Sequence, residues 1–187
     1  MRLFTAIDLP DEPLLRLERL TMALRREALI HWSPLDNLHI TTKFIGQWPD
    51  ERLGELDAAL SSLPARDPFD IELRNLGWFP NARSPHTFWI GVHSDELQQL
   101  ARETEEVLAP LGIARETREF SPHLTLARVK TPAPLRRLHE KVEEMQPAAL
   151  GRFSASRFAL YRSDPGSNAS IYRKLREYRF ASALAAS

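Results

Sequence analysis

The sequence predicts an α+β fold of two related halves, in which two antiparallel sheets face a central cleft and helices cover their outer faces. The pattern His-x-Thr occurs at His39–Thr41 and again at His123–Thr125, 84 residues later. Both copies lie among β-branched and apolar residues, which is typical of strands. Strand segments alternate with helical segments, and some strands are separated only by tight turns, which favours antiparallel pairing.

The surroundings of the two motifs repeat as well. Phe69 and Phe153 each lie 30 residues after the motif His and open a predicted strand. An amphipathic helix lies between motif and strand in both copies, with apolar positions at Leu53, Leu56, Leu60 and Leu63 in the first and Leu135, Leu138, Val142 and Met145 in the second. A duplicated supersecondary unit explains this repeat most simply.

The remaining elements follow from local patterns. Helix 95–111 begins at Ser94-Asp95-Glu96, a typical cap, and ends before Gly112, and the last helix opens at Pro134. The other helices are expected at 11–28 and 50–63. Strands are expected at 2–8, 31–33, 38–45, 69–79, 86–93, 123–129, 152–161 and 170–180. No linker interrupts the chain, so residues 1–187 are expected to form a single bilobal domain.

Residues two apart on a strand share a face, so each motif His lies beside its Thr. A single strand His is more often structural than catalytic. A His-x-Thr pair that is kept in both copies favours a catalytic role instead. The surface positions of a duplicated unit change freely, and the helices of the two copies have diverged. One neutral imidazole can take a proton from a nucleophile while the other, protonated, gives one to a leaving group. The Thr hydroxyls can donate to an anionic centre, which together describes metal-free displacement at phosphorus.

Composition sets limits on function. The 187 residues carry 25 basic and 25 acidic side chains, and a neutral protein is unlike those that wrap long polyanions. There is no Cys, which excludes disulfides and thiolate sites and makes the cytoplasm the expected compartment. No signal peptide or membrane span is expected, and we expect a monomer.

Taken together, the motifs and the segments RLFTAIDLP, HWSPLDNLHITTKFIG, NLGWFPNARSPHTFWIGV, SPHLTLARV and FALYRSDPGSNASIYRKLREYRF resemble the 2H phosphoesterase superfamily. They are most similar to its bacterial and archaeal RNA 2′,3′-cyclic phosphodiesterases, also called 2′-5′ RNA ligases. The resemblance implies metal-independent, cofactor-free hydrolysis of a terminal 2′,3′-cyclic phosphate to a 2′-phosphomonoester, with reversible 2′-5′ ligation. RNA 3′ ends or small cyclic nucleotides would be the partners. His39 would be the proton donor, His123 the proton acceptor, and Thr41 and Thr125 would hold phosphate oxygens.

Three further residues are candidate substrate ligands. The resemblance implies that Arg128 adds a cation to the phosphate, although strict alternation places it opposite His123, so that role requires a bulge or a strand end. Lys43 is expected on the face of His39 and Thr41. Phe44, the repeat-equivalent of Arg128, is the candidate for stacking on the terminal base.

Three alternatives remain open at this stage. The histidines could bind a metal, although no carboxylate lies within two residues of either one. The chain could be a catalytically silent module that binds RNA ends. The same chemistry could also act on another substrate, such as a cyclic phosphate on ADP-ribose or a linear 2′-5′ oligonucleotide.

Overall fold

The fold, described for residues 1–181 in a computed structural model, contains nine strands and four α-helices in that part of the chain. The strands are β1 (Arg2–Asp8), β2 (His31–Trp32), β3 (His39–Gln47), β4 (Phe69–Phe79), β5 (Thr87–His93), β6 (His123–Arg128), β7 (Ala149–Ala155), β8 (Arg157–Asp164) and β9 (Ile171–Arg179). The helices are α1 (Asp11–Arg25), α2 (Leu53–Ser61), α3 (Asp95–Leu108) and α4 (Arg136–Met145).

The strands form two antiparallel sheets. Sheet A has the order β3-β1-β8-β9, and sheet B has the order β2-β6-β5-β4-β7. The predicted α+β class with two antiparallel sheets is therefore confirmed. The motif strands β3 and β6 belong to different sheets, yet their Cα atoms approach within 8 Å. The fold thus brings the two histidine motifs together from separate sheets.

The two halves repeat one arrangement. In sheet A, β3 pairs with β1 across helix α1, and in sheet B, β6 pairs with β5 across helix α3. The predicted cap of α3 is present, because the Ser94 hydroxyl accepts a hydrogen bond from the Leu97 amide at 3.2 Å. Gly112, with φ of 88°, follows the final 3-10 turn, as expected for a residue that leaves a helix in the left-handed region.

The expected strand 152–161 is wrong as a single element. The chain leaves sheet B at the end of β7, passes Ser156, and enters sheet A as β8. Buried apolar residues continue on both sides of this crossing, so periodicity alone reads it as one strand. In sheet B, β5 has β4 as its neighbour, and in sheet A the equivalent strand β1 has β8 as its neighbour. The counterpart of β4 is therefore β8. Phe153 lies in β7, so it is not the structural counterpart of Phe69 in β4.

One continuous hydrophobic core lies beneath the two sheets and joins their side chains to those of the helices. Leu3 and Ile7 of β1 and Leu124 and Leu126 of β6 are almost completely buried in it. The opposite faces of β3 and β6 carry the motif side chains. Alternation along each strand therefore separates packing from chemistry.

Candidate active site

His39 begins β3, beside Asp8 at the end of β1. Thr41 lies on the same face of β3, and both side chains are half-buried, while Ile40 between them is completely buried. The backbone carbonyl of Asn37, two residues before His39, acts on its ring as a hydrogen-bond acceptor. The ring also stacks on Phe4, with centroids 4.9 Å apart. Backbone and neighbouring rings thus fix the orientation of the first imidazole.

His123 begins β6 in the equivalent way. Its Nδ1 lies 2.8 Å from the carbonyl oxygen of Ser121, again two residues upstream. In the neutral ring Nδ1 then carries the proton, and Nε2 is left as the acceptor. Phe79 meets the ring edge-on at 5.0 Å. Thr125 shares this face of the strand and is half-buried.

Both motif strands contain a β-bulge just after the motif Thr. On β3, Thr41 and Lys43 pair with consecutive residues of β1, so Thr42 is the extra residue. On β6, Thr125 and Ala127 pair with consecutive residues of β5, so Leu126 is the extra residue. These two extra residues are equivalent in the repeat. A bulge changes which positions share a face, because two residues then oppose one on the partner strand. The side chains directly after it therefore change side.

The bulge explains the position of Arg128. Leu126 and Ala127 are both buried in the core, and the exposed side chain of Arg128 returns to the face of His123 and Thr125. The bulge that this position required is therefore present. Phe44 is turned to the face of His39 in the same way and is 57% exposed. Its ring lies 6.3 Å from Phe4, the residue that stacks on His39.

The expected placement of Lys43 on the His39 face is wrong. Thr42 and Lys43 are both buried on the opposite side of β3, because the bulge interrupts the alternation that would have put residues 39, 41 and 43 together. The Lys43 ammonium lies 2.7 Å from Glu105 of α3 and donates to the Ala114 carbonyl at 2.7 Å. Lys43 fastens α3 to the motif strand and cannot contact a substrate in the cleft.

The sequence did not predict the polar cluster around Asp8 that lies beside His39. Asp8, the register partner of His39, accepts a hydrogen bond from the Tyr161 hydroxyl and lies 2.6 Å from the Lys174 ammonium. The ring of Tyr172 also meets His39 edge-on at 5.0 Å. These residues come from β1, β8 and β9, and only the pairing of distant strands joins them. The register partner of His123 is Gly91, so the second histidine has no equivalent carboxylate.

Burial and positive charge lower the pKa of both imidazoles. Burial, the largest cause, together with the charges of Arg128 and His123, lowers the pKa of His39 to about 4, against the opposing effects of the Asn37 carbonyl and Asp8. Burial and the charge of Arg128 also lower the pKa of His123, against the Ser121 carbonyl. Arg128 therefore acts on both rings, and the lowered pKa favours the neutral form of each imidazole.

The cleft face of sheet B carries two aromatic side chains. Phe79 lies beside His123, and Trp89, the register partner of Thr125, lies across Gly77, where a Cβ would come within 2.2 Å of the indole. The sequence offered no local sign of this arrangement, because both residues alternate as ordinary strand residues. Trp32 and Trp78, by contrast, pack on the buried Phe88.

Two kinds of feature are absent from residues 1–181. No group of three or more His, Cys, Asp or Glu side chains there is arranged to hold a metal ion. Over the same residues, no helix has both the length and the apolar character needed to cross a membrane.

The sequence profile of the 2′-5′ RNA ligase superfamily matches residues 9–167, so the chain belongs to this family. The predicted resemblance is thereby confirmed. Among individual relatives, a protein of Methanocaldococcus jannaschii named RNA 2′,3′-cyclic phosphodiesterase is 33% identical over 95% of this chain and 100% of its own. A protein of the same name from Aeropyrum pernix is 36% identical over 79% of this chain and 84% of its own.

Solved structures show the same similarity. The protein TT0787 of Thermus thermophilus superposes with a TM-score of 0.83 at 29% identity, covering 96% of this chain and 98% of the other. LigT of E. coli in complex with 3′-AMP gives a TM-score of 0.76 at 25% identity, covering 97% and 98%.

Proposed function

We propose that this protein hydrolyses the terminal 2′,3′-cyclic phosphate of RNA to a 2′-phosphomonoester by paired histidine catalysis that needs no metal. The main support is the pairing of His39-Thr41 and His123-Thr125 on two strands that approach within 8 Å, with Arg128 acting on both rings. The names of the relatives supply the substrate, since several are RNA 2′,3′-cyclic phosphodiesterases.

In the proposed reaction, His123 is the general base. Its Nε2 takes a proton from water, whose oxygen attacks phosphorus while the bond to the 3′ oxygen breaks. Support comes from the Ser121 carbonyl, which holds the ring with Nε2 as the acceptor. His39 is the general acid, and it gives its proton to the departing 3′ oxygen. The 2′ oxygen keeps the phosphate, so the product is a 2′-phosphate beside a free 3′ hydroxyl.

His39 must be protonated to act as the acid, and a pKa of about 4 opposes this before substrate binds. We infer that the phosphate charge of the bound substrate raises the pKa of His39, because a nearby anion favours the imidazolium. Asp8 acts in the same direction from the neighbouring strand. His123 has Gly91 at the equivalent position, and this asymmetry supports His39 as the donor.

The remaining site residues bind the substrate. Thr41 and Thr125 donate their hydroxyls to the nonbridging phosphate oxygens, and Arg128 neutralises charge that develops there. Phe44, exposed on the His39 side of the cleft, stacks on the terminal base. Replacing water by the 5′ hydroxyl of another RNA would turn the same steps into 2′-5′ ligation, which is reversible because the phosphodiester formed is again a substrate.

The direct test is turnover of a 2′,3′-cyclic mononucleotide and of an RNA ending in a cyclic phosphate, with and without EDTA. We expect both substrates to give only the 2′-phosphate, at a rate that EDTA leaves unchanged. Loss of activity in EDTA and its return with zinc would favour a metal-bound hydroxide instead. Binding without turnover would favour a silent RNA-end module, and a panel that includes an ADP-ribose cyclic phosphate and 2′-5′ oligomers would identify a different substrate.

A further inference from the structure

An unpaired basic edge borders the cleft next to Arg128. β2 is the outermost strand of sheet B, and His31 is the register partner of Arg128. The next residue, Trp32, packs into the core against Phe88, so alternation places exposed His31 on the cleft face with Arg128. Neighbouring strands lie about 5 Å apart. A phosphate bound at His31 would therefore lie about 5 Å farther from the centre of the cleft than one bound at Arg128.

Arg25 continues this edge. Its guanidinium donates to the Ser33 carbonyl at 3.2 Å, and the Ser33 hydroxyl donates to the carbonyl of Thr125 at 2.9 Å. These contacts connect Arg25 through one residue to the second motif strand. We call Arg25 and His31 the β2 edge.

The β2 edge differs from most basic surface of this neutral protein. Most Lys and Arg side chains in residues 1–181, such as Arg52, Arg157 and Lys174, lie within 4 Å of a carboxylate. Over the same part of the chain, neither Arg25, His31 nor Arg128 forms such an ion pair. Positive charge that is not neutralised within the protein remains available to an external anion.

We propose that the β2 edge binds the phosphodiester immediately 5′ of the terminal nucleotide, so that the preferred substrate is an RNA strand rather than a free cyclic nucleotide. This rests on the proposed function, since Arg128 at the inner end of the row must contact the terminal phosphate. The RNA leaves the cleft across β2. Among the described residues, sheet B has no β-strand beyond β2. A contact of one or two phosphates is also compatible with zero net charge.

The test compares a 2′,3′-cyclic mononucleotide with a short oligoribonucleotide that ends in the same nucleotide. Arg25→Ala and His31→Ala should each lower kcat/KM on the oligomer about two- to fivefold, the usual size for an exposed contact, and leave the mononucleotide unchanged. For Arg25→Ala, the plot of log kcat/KM on the oligomer against log salt should flatten by about 0.7. Arg102→Ala is the matched control, because it removes one exposed, unpaired charge from the outer helix α3.

The outcomes separate this inference from the function on which it rests. Equal losses on both substrates, or no loss on the oligomer, would overturn binding at the β2 edge while mononucleotide turnover leaves the function intact. A wild-type protein that turns over neither substrate would overturn the function and this inference together. Melting temperatures of the variants guard against misfolding, and His31→Gln and Arg25→Gln provide a second pair if either alanine variant is unstable.

Discussion

The two histidine sites have the same backbone and different electrostatics. Each ring is held by a carbonyl two residues upstream, and each strand has a bulge at the equivalent residue. Their neighbours are not equivalent. Asp8, which contacts Tyr161 and Lys174, lies beside His39, whereas Gly91 occupies the equivalent position beside His123. In the proposed mechanism, the duplicated backbone supplies two-sided contact with one phosphate, and the difference in neighbours supplies the two opposite proton transfers.

The largest effects are expected from removal of either imidazole. His39→Ala and His123→Ala should each lower kcat on cyclic-phosphate RNA by roughly 10² to 10⁴, because each removes one proton-transfer partner. Single-turnover kinetics with the purified variants measures this loss. Wild-type activity of either variant would refute a catalytic role for that histidine.

A somewhat smaller loss is expected from the threonines. Thr41→Val and Thr125→Val each remove a single donor to developing charge and should cost roughly 10² to 10³ in kcat. The two losses should be similar, because the two Thr occupy equivalent positions. The control is Thr42→Val, which removes a buried hydroxyl that pairs with Thr5 at 2.7 Å outside the cleft and should change stability rather than kcat. A strong loss in one Thr variant alone would show that the two strands contact the phosphate unequally.

Removing the Asp8 carboxylate should reduce the electrostatic difference between the His39 site and the His123 site. Asp8→Asn takes away an anion that raises the pKa of His39, so the limb of the kcat profile that belongs to His39 should move to lower pH and kcat near pH 7 should fall about tenfold. KM should change little. Asp57→Asn is the matched control, since Asp57 also accepts from a tyrosine hydroxyl, that of Tyr178, outside the cleft. Equal pH profiles for the wild type and Asp8→Asn would remove Asp8 from the account.

The pH dependence follows from the directions of the two pKa shifts. The proposed mechanism needs neutral His123 and protonated His39, so it predicts a bell-shaped pH profile of kcat/KM. In the free enzyme the pKa of His39 is lowered to about 4 and that of His123 is lowered from 6.5, so both limbs should lie below pH 6.5. The kcat profile should lie at higher pH, because bound phosphate favours both imidazolium forms. A rate that rises steadily with pH would contradict this pair of histidines.

The smallest effect on catalysis is expected at Lys43, which lies on the far side of its strand. Lys43→Met leaves Glu105 without its buried partner and should lower the free energy of unfolding by roughly 3 kcal/mol, while KM stays unchanged. Its neighbour Phe44 should behave in the opposite way, with Phe44→Ala raising KM and sparing stability. Denaturant unfolding and steady-state kinetics on both variants distinguish the two faces, and a raised KM for Lys43→Met would place it at the substrate.

The sequence predicts the parts of this site that depend on local pattern. Period-two alternation, repeated 84 residues apart, was enough to place each His beside its Thr. Lys43 was placed wrongly because a single extra residue, Thr42, reverses the alternation, and nothing in HITTKF marks a bulge. Asp8, Tyr161 and Lys174 could not be assembled, since their contact depends on the order of β1, β8 and β9 in sheet A. The crossing at Ser156 was hidden for the same reason.

The most direct test of the division of labour between the histidines uses a substrate whose leaving group needs no proton, such as a p-nitrophenyl phosphodiester. If His39 protonates the departing oxygen, His39→Ala should recover most of the wild-type rate on this substrate, provided that it binds productively. His123→Ala should remain impaired, because water must be activated whichever group departs. Recovery of the His123 variant alone would reverse the donor and acceptor assignments and contradict the role given to Asp8.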